Sequence, residues 1–173
     1  MRSEAASRRD GAREWGFLGV SVFLANEQSL EVDLAGLRGL AELVLREEGF
    51  PADTELTLLL VDEDEITGYN RRFLHRDGPT DVLAFPVEIL IPGVVPERDR
   101  NSPPLVVGDV IIAPAYVARQ AEKEGVPFED EMALMVTHGI LHLLGYDHRA
   151  DDDAERMEQR ERDLMAMVGK VRP

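Results

Sequence analysis

Cysteine is absent from all 173 residues. That excludes a disulfide framework, a thiolate zinc site and a thiol nucleophile, and leaves His and carboxylates as the available metal ligands. The lack of thiols is compatible with the cytoplasm, the expected location. Long apolar runs are missing too. The longest stretch falls far short of the roughly 20 residues that span a bilayer, so no membrane partner is expected. Basic residues are scarce: 19 Lys and Arg stand against 34 Asp and Glu, a formal net charge of −15. A chain this acidic is not a general nucleic-acid binder, because phosphate contacts need clustered cations. A polyanionic substrate would need a local basic patch or a bound partner to position it. The best patch is Arg71-Arg72-Phe73-Leu74-His75-Arg76, whereas Arg156, Arg160 and Arg162 lie among acids and read as a solvated helix face.

What is present is one domain's worth of patterned chain. Residues 1–14 read as a flexible N-terminal tail in which Glu4, Asp10 and Glu14 interrupt any signal-like basic region, and residues 15–170 as a single domain. Strands are expected at 17–24, 55–61, 81–87 and 106–112. Asp33 caps a helix with an apolar face of Leu34, Leu37, Leu40, Ala41, Val44 and Leu45, and Asp62 with Glu65 has capping-box spacing before Ile66, Tyr69 and Phe73. Further helices follow from Pro114 to about Gly125, over 128–144, and over 151–168, while the Pro-rich stretch 91–104 reads as an exposed loop. The expected fold is α+β: a small mixed four-stranded sheet packed with about five helices, one of them a zincin-like metal helix.

Three of the four histidines fall in His138-Gly139-Ile140-Leu141-His142-Leu143-Leu144-Gly145-Tyr146-Asp147-His148. A lone His on an apolar helix is ordinarily a hydrogen-bonded core residue. Two His at i and i+4 share one helix face, and a glycine that ends the helix in the left-handed conformation can bring round a third. Three neutral imidazoles converging on one point fit a Zn²⁺ site with its fourth position open, one ion per chain. His75 has no such context and reads as an exposed loop residue.

The spacing His-x₃-His-x₂-Gly-x₂-His also occurs in metzincin proteases, which place a Glu directly after the first His as general base. Gly139 stands there instead. A divergent zinc protease is thereby disfavoured, because glycine can neither accept a proton nor orient water. A metal still lowers the pKa of bound water to about 7 and polarises phosphoryl oxygens, so the metal-bound water is the expected catalytic group and a phosphodiester a sensible target.

The same eleven residues resemble the signature of the YbeY family of bacterial endoribonucleases. Pro79-Thr80-Asp81-Val82-Leu83-Ala84-Phe85-Pro86 and Gly108-Asp109-Val110-Ile111-Ile112-Ala113-Pro114 are similar to two further family blocks, in the same order, with Ala84 where the family has Ser. The resemblance covers roughly residues 55 to 168. It implies a single-strand-specific, zinc-dependent endoribonuclease acting in 16S rRNA 3′-end maturation and ribosome quality control. It also implies ribosomal RNA, the small ribosomal subunit and its assembly factors as partners. A non-catalytic, metal-containing assembly factor is the alternative. Many members carry an Arg four residues after the Asn matched by Asn70; Leu74 holds that position here, and Arg76 or Arg72 is a candidate replacement charge, with a plain surface role for both as the competing reading. Asp81 and Asp109 are candidate carboxylates for fixing a His tautomer, with capping a turn as the competing role. Asp147 is expected to be a turn residue, and Tyr146 and Phe85 are core residues or base-stacking surfaces.

Overall fold

The sheet alternates its apolar residues between two unequal cores. The computed structural model describes residues 20–173, so the expected tail over 1–14 and the first residues of the expected domain lie outside the described residues. Among the described residues the order is β1 (Ser21–Glu27), α1 (Leu34–Glu47), β2 (Thr54–Val61), α2 (Glu63–Leu74), β3 (Val82–Pro86), β4 (Leu105–Ile112), α3 (Pro114–Glu124), α4 (Phe128–Leu143) and α5 (Asp151–Ala166). The strands lie in the order β1-β2-β4-β3. β1, β2 and β4 run parallel, and β3 pairs antiparallel with β4. This is the mixed four-stranded sheet with five helices that the patterning predicts.

The larger core lies between one sheet face and α1, α4 and α5. Leu56, Leu58 and Leu60 of β2 and Val107, Val110 and Ile112 of β4 enter it. The intervening Val61 and Ile111, with Leu83 of β3, form a smaller cluster with Ile66 of α2. A register shift between Glu55 and Leu56 makes a bulge that places both Val107 and Val110 on the larger core. β1 reaches Glu27, further than the apolar run suggests. As an edge strand it pairs with β2 through Val61, and its polar end stays exposed.

Caps set the helix starts as expected. Asp33 accepts from the Gly36 amide and Asp62 from the Glu65 amide, each at 2.9 Å. α2 ends on His75, the sole non-glycine residue with positive φ (55°) among those described. His75 is exposed and serves as a helix terminus.

α4 is the central element. Eleven of its sixteen residues are buried, and its acids, Glu129, Asp130 and Glu131, are confined to the first turn. A helix apolar on nearly every side must be enclosed by other elements; the sheet, α1, α3 and α5 all pack on it. Gly139 sets how close the sheet comes. A Cβ there would lie 2.6 Å from Val110 Cγ1 and 3.3 Å from Val82 Cγ2. Gly139→Ala is therefore expected to destabilise the fold. Overpacking costs about 1–3 kcal/mol, while the gain in helix propensity is about 1 kcal/mol or less. A lower urea midpoint at unchanged slope is the expected reading.

Candidate metal centre

His138 and His142 stand one turn apart on the α4 face that looks past β3 into a cleft of about 360 Å³. Their Nδ1 atoms are both engaged from behind. His142 Nδ1 lies 2.9 Å from the Tyr146 carbonyl oxygen, and His138 Nδ1 lies 2.7 Å from Glu161 Oε1. A carbonyl oxygen only accepts, so His142 carries its proton on Nδ1 and its lone pair on Nε2. The Glu161 carboxylate imposes the same tautomer on His138. The two Nε2 lone pairs face each other at 3.0 Å, a contact that is repulsive between the bare rings and that a shared cation would turn favourable.

Gly145 supplies the third ring. Its φ is +96°, and a Cβ on it would lie 2.1 Å from the Leu90 carbonyl oxygen, so no other residue fits this turn. The Gly145 amide donates to His142 O at 3.1 Å and the Tyr146 amide to Leu141 O at 3.0 Å, a Schellman pair that closes α4. The reversal aims the Tyr146 carbonyl at His142 and carries exposed His148 over the cleft. One nitrogen from each of His138, His142 and His148 lies within 4.8 Å of the others. Asp147 accepts from the His148 amide at 2.7 Å, the turn role expected of it.

Two buried networks hold these supports. Tyr146 donates its hydroxyl to Glu48 Oε2 at 2.9 Å, and Arg160 donates to the other Glu48 oxygen. Burial and the neighbouring Glu48 carboxylate push the Tyr146 phenol up to about 12. Glu161 is 1% exposed and receives Arg172 Nε on its second oxygen at 2.6 Å. Burial works to raise this carboxyl, but the hydrogen bonds from His138 and Arg172 outweigh it and hold it below the usual range. Burial, followed by the proximity of His138, lowers His142 and favours its neutral, ligating form.

Neither aspartate named from the sequence bonds an imidazole. Asp81 lines the cleft, yet its carboxylate accepts from the Val82 amide at 2.8 Å and Thr80 Oγ1 at 3.0 Å, which makes it a turn cap. Asp109 sits between Val110 and Gly108 on β4, paired with Phe85, and strand alternation turns it to the sheet face away from α4. Glu161 takes the role expected of them. The sequence holds one clue to it: with Met157, Leu164 and Met165 it lies in a buried stripe on α5, and a carboxylate there needs a partner, though nothing local says which.

Arg76 lines a groove that runs from His142 past Leu74, Thr80 and Pro86. Asn70 positions that loop, donating Nδ2–H to Gly78 O at 2.9 Å and accepting from the Arg76 amide at 3.3 Å. Arg72 lies over Phe73 instead, 5.9 Å from its centroid. Tyr146 is buried, and Phe85 packs edge-on to Phe73 at 5.3 Å.

These features define a class: single-domain α+β proteins whose central helix and following turn present three imidazoles able to hold a metal ion. The description Endoribonuclease YbeY attaches to a family model that matches residues 23–169. The chain is 45% identical to Endoribonuclease YbeY of Acidothermus cellulolyticus, over 79% of this chain and 84% of that one. It is 42% identical to Endoribonuclease YbeY of Thermobifida fusca, over 85% and 93%. The solution structure of TM1509 from Thermotoga maritima superposes with a TM-score of 0.56 at 26% identity, over 86% of this chain and 91% of that one. The chain belongs to the YbeY family.

Tyr146 generates a pH prediction. A phenol that holds its proton more tightly folded than unfolded contributes stability fully below the ordinary value of 10 and loses it as pH rises toward about 12. The loss across that window is expected to be at most about 3 kcal/mol. Urea unfolding at stepped pH should show a steeper decline for the wild type than for Tyr146→Phe.

Proposed function

We propose that the chain is a zinc-dependent, single-strand-specific endoribonuclease, with one zinc ion per chain held by His138, His142 and His148. The observation that carries this reading is the arrangement of the two half-buried rings of α4. Both are locked with Nδ1 toward the protein and Nε2 toward the same cleft, in a chain whose family match spans 23–169. Imidazole donors suit zinc, and the exposure of His148 leaves the cleft open to a polymer. When bound, the ion supplies Lewis acidity toward the phosphodiester and a nucleophile near neutral pH.

The protein's own groups supply position and charge. Arg76, on the groove beside His142, offers a guanidinium to the backbone phosphate in the neighbourhood where Leu74 offers none. Gly139 faces Val110 in the sheet, so no general base of the protease kind can act from that position. With a net charge of −15, unaided capture of RNA is unfavourable, and docking on the small ribosomal subunit would supply the complementary charge. Cytoplasmic action on the 3′ end of 16S rRNA, in maturation and quality control, is the corresponding role; no helix among the described residues is long and apolar enough to cross a membrane.

A fragment carrying the 3′ end of small-subunit rRNA provides the test. Cleavage should stop with chelator, return with zinc, and fall by about 100-fold or more in His142→Ala; equal cleavage by wild type and variant would remove the proposal. A 2′,3′-cyclic phosphate on the product, with a 2′-deoxy analogue left uncut, would assign attack to the RNA's own 2′-OH, and cleavage of the 2′-deoxy analogue would assign attack to water. Arg76→Ala should keep its metal and cut about 10-fold more slowly, on the order of 1–3 kcal/mol. Unchanged rates would reduce Arg76 to a surface residue.

A further inference from the structure

Arg172 lies beyond residue 169, where the family match stops, yet it lines the cleft with the three histidines. The turn that brings it there is built into the chain after α5. Gly169 has φ +71°, the Lys170 amide donates to Met165 O at 3.0 Å, and Lys170 Nζ lies 4.0 Å from Asp130 Oδ1 at the start of α4. Arg172 then donates Nε–H to Glu161 Oε2 at 2.6 Å, and its Nη2 lies 3.7 Å from Glu158 Oε1.

Both oxygens of Glu161 are thereby assigned, Oε2 to Arg172 and Oε1 to His138 Nδ1 at 2.7 Å. A carboxylate rotates about its last torsion, which is broad and weakly confined by its own chain. The guanidinium supplies the missing restraint. We infer that Arg172 is a positioning residue of the metal centre, acting through the Glu161 carboxylate to hold the His138 ring with Nε2 in the cleft. His142 needs no such device, because the Tyr146 carbonyl that orients it belongs to the rigid backbone of the α4 turn. The inference rests on the metal reading above but not on RNA cleavage.

Removing Arg172 should therefore affect one ring and spare the other. In metal-free protein, the ¹⁵N signals of the His138 ring should report a single Nδ1–H tautomer in the wild type. They should shift toward a mixture of tautomers in Arg172→Ala, with His142 unchanged as the internal reference. Zinc affinity, measured by competition with a chromogenic chelator, should weaken about 10-fold in Arg172→Ala, as when other outer supports of a metal ligand are lost. Arg172→Lys should recover part of it, which a loss of folding would not produce. In a Glu161→Gln background the same Arg172→Ala change should alter zinc affinity by less than about 2-fold, because the two act as one unit. Wild-type His138 signals and zinc affinity in Arg172→Ala would overturn the relay, as would an equal loss with and without Glu161. A protein that shows this coupling yet cuts no RNA would overturn the proposed cleavage and leave the relay standing.

Discussion

Two N–H groups, one on each half-buried imidazole of α4, govern how this molecule presents its three-histidine cleft. Each ring nitrogen that faces the protein donates to an oxygen, and each such bond directs the opposite nitrogen's lone pair into the cleft. An imidazole free to flip would face the cleft as donor or acceptor by turns. The surrounding architecture can be understood as the means of keeping two oxygens still: a helix closed by a Schellman turn for one, a fifth helix with a buried carboxylate for the other. The helix carrying the rings is itself held by apolar enclosure on nearly every side, so the rings move only if the core does.

The two supports differ in kind. The Tyr146 carbonyl is backbone, and its place follows from the turn at Gly145 together with the anchoring of the Tyr146 side chain by Glu48 and Arg160. Glu161 is a buried charge, which costs several kcal/mol of desolvation unless it is fully paired. Its two partners meet that requirement with one hydrogen bond each. In a chain with a net charge of −15, Arg149, Arg160 and Arg172 are engaged with particular carboxylates, while Arg76 lines the groove that reaches His142.

Much of the plan was legible along the chain. The caps at Asp33 and Asp62, the apolar face of α1 and the end of α3 at Gly125 follow from local chemistry that operates within a few residues, whereas α2 stops on left-handed His75, ahead of the Gly78-Pro79 pair. So does the spacing of His138, His142 and His148, since helix periodicity and one left-handed glycine suffice to gather them. The choice of supporting carboxylate was not legible in the same way. Asp81 and Asp109 stand in blocks that resemble the family's, but β4 turns Asp109 to the far sheet face and Asp81 is consumed by its own turn. Glu161 lies 23 residues from His138, and only the packing of α5 against α4 joins them. Its one clue was a charge inside an apolar stripe.

The amino-acid order by itself determined the α+β class, the helix limits and the three imidazoles, because propensity, capping and periodicity are interactions between near neighbours. Tertiary structure alone decided which oxygen faces each ring, that Gly139 brings the sheet against α4, and that Arg72 covers an aromatic ring while Arg76 borders the groove. These are contacts between elements far apart in the chain. Their geometry is set by how helices and sheet pack, which no local pattern encodes.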